Sequence, residues 1–210
     1  MTNPPPLPPT APKRSRWKIP LIVIGSIFGV LLLIVALGAL FLFTARDFEP
    51  PASQKETVLT VAYAVDFFEI DQSLGTEEWD CEKYIDGSLQ IYYLYSDEAT
   101  ALDCTILIER NMSDAVISYV AEWQALKLGN SIGEADAGLE EANELFSWGD
   151  DSKFAFQVTE NERYGFAFIT RKGNKVCFVD AWGLLLEDPA EISAFLTPKL
   201  ELFDAESYLK

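Results

Sequence analysis

Between Ile19 and Phe43 the chain carries no charged residue, and this run constrains what the rest can be. As a helix rising about 1.5 Å per residue it would measure about 38 Å, longer than the ~30 Å hydrocarbon core, so it can span a bilayer with some tilt. Each central Leu, Ile, Val or Phe favours insertion by roughly 0.3–0.6 kcal/mol, and no charge opposes them. Pro20 falls in the first turn, where its missing N–H breaks no helical bond. A cleaved signal peptide is the competing reading, because Ala36-Leu37-Gly38 has the small-residue look of a cleavage site. The apolar run is long for a signal peptide, and cleavage there would leave the greasy stretch Ala39–Phe43 as a new terminus. The expectation is therefore an uncleaved transmembrane helix over residues 19–43.

The cations before the run are Lys13, Arg14, Arg16 and Lys18, whereas only Arg46 follows closely. By the positive-inside rule residues 1–18 stay in the cytoplasm and the C-terminal part lies outside, as a single-pass protein of the cell inner membrane. Within the span Gly25 and Gly29 form a GxxxG pattern, a candidate contact for a transmembrane homodimer. The tail holds Pro4, Pro5, Pro6, Pro8, Pro9 and Pro12, which favours extended, disordered chain. Pro9–Pro12 followed by Lys13-Arg14 also fits a polyproline recognition motif. Residues 44–57, with Pro50-Pro51, read as a stiff stalk, and residues 58–210 as one folded domain.

That domain is strongly acidic. The whole chain has a formal charge of −17; setting aside the four cations before the run leaves −21 for everything beyond it. Such a surface repels phosphate backbones and anionic headgroups, which excludes nucleic acid as a partner of the domain.

The pattern along the domain alternates between strands and helices. Ser53-Gln54-Lys55-Glu56 matches a capping box for a helix reaching about Phe67, although the same stretch is β-rich. Asp86-Gly87 is a hairpin signal between strands at 77–85 and 88–96, and a third strand covers 101–109. In the second and third strands Leu89, Ile91, Tyr93 and Tyr95, with Leu102, Cys104, Ile106 and Ile108, form one apolar face. Ser113 opens a helix to about Leu128, stopped by Gly129-Asn130, with Val116, Val120, Trp123 and Leu126 as its inward stripe. Residues 131–143 read as a second short helix or an irregular excursion. Strands follow at 145–148, 153–159, 163–171 and 175–184, and the nearly continuous apolar run Val176–Trp182 marks a central strand. Asp188-Pro189 starts a last helix to about Phe203, with Ile192, Phe195, Leu196, Leu200 and Phe203 inward. The fold class is α+β: an antiparallel sheet of about six to seven strands with packed helices, preceded by one transmembrane helix.

This order of a hairpin with a third strand (77–109), a helix (113–128), an excursion, a meander (145–184) and a closing helix resembles the PsbP-like fold. The resemblance covers nearly the whole outer domain and rests on element order. It implies an accessory, assembly or binding protein and not an enzyme, and it carries over no site residue.

The residue inventory points the same way. The chain has no histidine, which removes histidine triads, histidine general bases and the commonest zinc ligand. No nucleophile elbow, P-loop or dinucleotide fingerprint is present. Cys81, Cys104 and Cys177 show no metal or redox spacing, and a register pairing Cys81 with Tyr92 and Cys104 with Tyr93 puts those two on opposite sheet faces. The acids Asp66, Glu69, Asp71, Glu77, Glu78, Asp80 and Glu82 lack the spacing of a calcium loop and read as a solvated rim. No cofactor and no metal site is expected.

The unusual acid is Asp180, set inside the apolar Val176–Trp182 run, where burial demands a donor or a kink to water. The aromatic supply exceeds what one core face needs, which makes Trp79, Tyr92, Tyr95, Trp148 and Asp180 the candidate binding surface. The expected function is a non-catalytic, membrane-anchored accessory domain meeting a protein partner outside the cell membrane. A small-ligand or cation sensor is the first alternative and a carboxylate-based hydrolase the second.

Overall fold

The computed structural model describes residues 45–133, 137–160 and 162–207. The tail, the apolar run and the Gly25–Gly29 pair lie outside the described residues. No helix among those described is long and apolar enough to cross a membrane.

The described chain is α+β, built on one antiparallel sheet of eight strands. They are β1 (Arg46–Asp47), β2 (Thr76–Lys83), β3 (Leu89–Ser96), β4 (Ala101–Ile108), β5 (Gly138–Glu141), β6 (Asp151–Thr159), β7 (Glu162–Lys172) and β8 (Lys175–Trp182). The spatial order is β1-β2-β3-β4-β8-β7-β6-β5. Two four-stranded meanders therefore meet at a β4–β8 seam, where Cys104 lies opposite Val179 and Asp103 opposite Asp180. The helices are α1 (Ala52–Lys55), α2 (Val61–Ala64), α3 (Met112–Gly133) and α4 (Pro189–Ala205), with a short 3₁₀ turn at Gln72–Leu74.

Alternation gives the sheet two different faces. The first, the core face, carries Ile91, Tyr93, Tyr95, Leu102, Cys104, Ile106, Phe154, Phe156, Phe166, Phe168, Cys177 and Val179. It is closed by Val58, Leu59 and Val61 and by Ile192, Phe195, Leu196, Leu200 and Phe203 of α4, the stripe expected from the sequence. Asp188 caps α4 by accepting from the amides of Ala190 and Glu191, and Pro189 follows at the first helical position. The second, the back face, is covered in part by α3 through Ala115, Tyr119 and Trp123, which meet Ala155, Ala167, Ile169, Val176 and Phe178.

Several expectations are corrected. Sequence placed Val116 and Val120 inward on α3, yet both are exposed, and Ala115, Tyr119 and Trp123 face the sheet. Apolar residues stand on more than one side of this helix, so periodicity does not choose its buried side. Its cap is Asn111, whose Oδ1 accepts from the amides of Ser113 and Asp114, and the helix passes Gly129-Asn130 to reach Gly133. Ser53 caps nothing: α1 begins after Pro51, and two single turns replace one longer helix. The expected stalk supplies β1, with Arg46 opposite Lys83 and Asp47 opposite Glu82, and Phe48 packs on the core. The strand expected at 145–148 is the end of a turn followed by irregular chain, and the sheet takes its outermost strand from 138–141 in the expected excursion.

The hairpin at Asp86-Gly87 explains the cysteine correction. Tyr84 and Ser88 pair across a three-residue loop: the Tyr84 amide donates to the Ser88 carbonyl, the Gly87 amide to the Tyr84 carbonyl, and Gly87 has φ +92°. This is a type I turn closed by a left-handed glycine, not a two-residue turn. The extra loop residue shifts the register by one, so Cys81 faces Ile91 and not Tyr92. Cys81 and Cys104 thus share the core face, and Cys104 keeps its expected partner Tyr93.

Candidate functional site

Helix α3 lies over β4, β8, β7 and β5, leaving the back face of β2 and β3 uncovered. By register this open area carries Glu78, Asp80 and Glu82 of β2, Gln90, Tyr92 and Leu94 of β3, and Asp103 and Thr105 of β4. No lysine or arginine points out of this face of the three strands.

At its inner margin two carboxylates meet. Asp103 and Asp180 are directly opposed across the seam, so both side chains leave the sheet on the same side. The Thr105 hydroxyl donates to Asp103 Oδ1 at 3.1 Å, and the Tyr92 hydroxyl also reaches that carboxylate. Asp180 accepts from Nε2 of Gln157, a side chain only 2 % exposed. Burial lifts Asp180 to about 7, with the Asp103 charge adding to it and the Gln157 hydrogen bond opposing. Burial lifts Asp103 to about 6 against its two hydroxyl donors, and Glu122 of α3 adds repulsion. Glu122 is itself raised by burial, and desolvation with the nearby Asp103 charge pushes the Tyr92 phenol to about 12.

A bulge shapes this corner. Register shifts between Gln157 and Val158, with Tyr164 as the extra residue on β7, and Tyr164 meets Trp182 edge-on at 5.6 Å. Gly165 sits opposite Gln157, and a Cβ there would lie 2.7 Å from Gln157 Oε1 and 2.2 Å from the Ala181 carbonyl. Glycine is the residue that lets the glutamine lie flat across the strand.

The candidate residues from sequence divide between the two faces. Tyr92 and Asp180 come together on the back face. Tyr95 is fully buried in the core, where its hydroxyl donates to Asp97 at 2.8 Å. Trp148 is a partly buried core residue against Phe203, with Lys172 over its ring. Trp79 stands edge-on to Tyr93 at 4.8 Å and lines a cleft of about 300 Å³ at the β1–β2 edge, with Phe48, Glu49, Lys55 and Cys81. The cation of that cleft is already engaged, since Lys55 pairs with Glu49 at 2.7 Å.

Sequence reasoning did not single out Asp103, Glu122 or Gln157. Asp103 was legible as the one acid interrupting β4, but its partner lies 77 positions along the chain, and only the β4–β8 pairing joins them. Among the described residues no three Asp, Glu, Cys or His side chains are grouped so as to hold a metal ion. A scan against protein-family models and searches of curated proteins and solved structures found no match to this chain.

Proposed function

We propose that the chain is a membrane-anchored, extracytoplasmic accessory domain that meets a protein partner through the open back face of β2–β4. In this reading residues 19–43 span the inner membrane, with residues 1–18 in the cytoplasm, and the partner presents lysine and arginine side chains. The observation that carries it is a half-covered sheet face bearing Glu78, Asp80, Glu82, Asp103 and a half-buried Tyr92 with no cation among them. A surface of one sign steers and selects partners of the other, and tyrosine supplies contact area at low entropic cost. The PsbP-like order of elements, in a class of proteins that act mainly as accessory factors, supports the same reading.

Crosslinking in intact membranes tests it. The wild-type chain is expected to yield a discrete heterologous adduct, and the triple variant Glu78→Lys, Asp80→Lys, Glu82→Lys to lose it while keeping the wild-type unfolding midpoint. An adduct that survives the triple reversal, or no adduct at all, overturns the proposal.

A further inference from the structure

The back face has a second property that needs no partner. Asp103 and Asp180 occupy directly opposed positions at the seam, and like charges placed so destabilise a sheet. Their surroundings contribute no positive charge. Facing the pair are Tyr92 of β3, Thr105 of β4, Glu122 of α3 and Gln157 of β6, while β7 offers only Ala167 beside Asp180. Glu78 and Asp80 of β2 stand further out, beside Tyr92. The charges acting on either carboxyl are therefore negative.

Gln157 supplies an independent sign. Its amide is almost wholly buried, with Nε2 on Asp180, while Oε1 has no hydrogen-bond partner and lies over Gly165, on the side where the Ala181 carbonyl oxygen also stands. Turning the amide over relieves this fault if Asp180 carries a proton. Oε1 then accepts the carboxylic O–H, and Nε2 turns toward the Ala181 carbonyl.

We propose that Asp103 and Asp180 form a proton-holding carboxyl pair at the β4–β8 seam, whose deprotonation sets two charges against each other and loosens the join between the meanders. The raised affinity of both groups for protons agrees with that arrangement. The folded chain then binds more protons than the unfolded chain, in which both carboxyls titrate near the ordinary value of about 4. Stability falls as pH rises from about 4 to about 7, the reverse of the usual effect of a salt-bridged carboxylate.

Thermal unfolding of the full chain from about pH 5 to about pH 8, with carboxyl carbon NMR titration of the wild type, decides the matter. The midpoint of the wild type is expected to fall across this range more steeply than that of Asp180→Asn, which keeps a neutral hydrogen-bonding group and gains stability at the alkaline end. Glu78→Gln, which removes an exposed charge from the same face, is expected to keep the wild-type slope. Should Asp180→Asn fail to fold, Asp103→Asn carries the comparison, and the NMR titration needs no variant. Both carboxyls titrating in the ordinary range, or an Asn variant with the wild-type slope, overturns the inference.

Discussion

Gly165 shows how one side chain sets the geometry of this corner. With no Cβ it lets Gln157 lie across β7 toward Asp180, and any larger residue would meet the Ala181 carbonyl and the glutamine amide at once. Gly165→Ala is expected to destabilise the domain by about 1–3 kcal/mol, the usual cost of overpacking, as read from chemical denaturation. A loss below about 0.5 kcal/mol would mean that the strand spacing relaxes freely. Asp180 is the residue at which sequence reasoning went furthest. Its place inside an apolar run marked it as needing either a donor or a kink to water, and the structure supplies the donor, Gln157. The glutamine could not be named in advance, because the two strands are joined through β7, which lies between them.

At the scale of elements, α3 and α4 differ in how far their sequences constrain them. In α4 the buried apolar stripe is narrow, and Lys199 beside it lays its ammonium over the Tyr63 ring and donates to the Glu56 carbonyl at 2.8 Å, so only one orientation buries the grease. In α3 apolar residues lie on both sides: Ala115, Tyr119 and Trp123 are buried, while Val116, Ile117 and Val120 stay in solvent. The choice falls to the side that fits the shallow floor of Ala155 and Ala167, where small residues leave room for the Trp123 ring. Ile117→Lys is expected to change stability by no more than about 0.5 kcal/mol, whereas Trp123→Ala costs about 3–5 kcal/mol. Denaturant midpoints of the two variants check this, and a reversed order would mean that the helix is turned the other way. The hairpin at Gly87 belongs to this scale too: the dipeptide announced a turn, but loop length decided that Cys81 faces the core.

For the molecule as a whole, the sheet's width and its seam set what the cysteines can do. Cys81 and Cys177 lie in one transverse row, separated by β3 and β4. At about 4.8 Å per strand that is about 14 Å, far beyond the ~7 Å limit for a disulfide. Cys81 and Cys104 are two strands apart and two residues out of row, about 12 Å. Cys104 and Cys177 are diagonal neighbours across the seam, at about 7–8 Å between Cα atoms, already at that limit. The neighbouring Cys104 sulfur and complete burial push the Cys177 thiol well up, so it is not poised as a thiolate. Intact mass under denaturing, non-reducing conditions is expected to match the fully reduced chain, with all three thiols alkylated once unfolded. A deficit of two hydrogens would refute this, and peptide mapping would show which pair moved.

The local patterns that sequence carries (the alternation in β3 and β4, the stripe and cap of α4, the nearly continuous apolar run of β8 and the −17 charge) were sufficient for an antiparallel α+β domain with an acidic surface. Each of them is written within a few neighbouring residues, where propensity and period act directly. The tertiary structure alone decided that β4 pairs with β8, that α3 covers only part of the back face, and that Asp103 meets Asp180. Those outcomes depend on contacts between residues far apart in the chain, selected by how whole faces fit and bury, and no short stretch of sequence records such a fit.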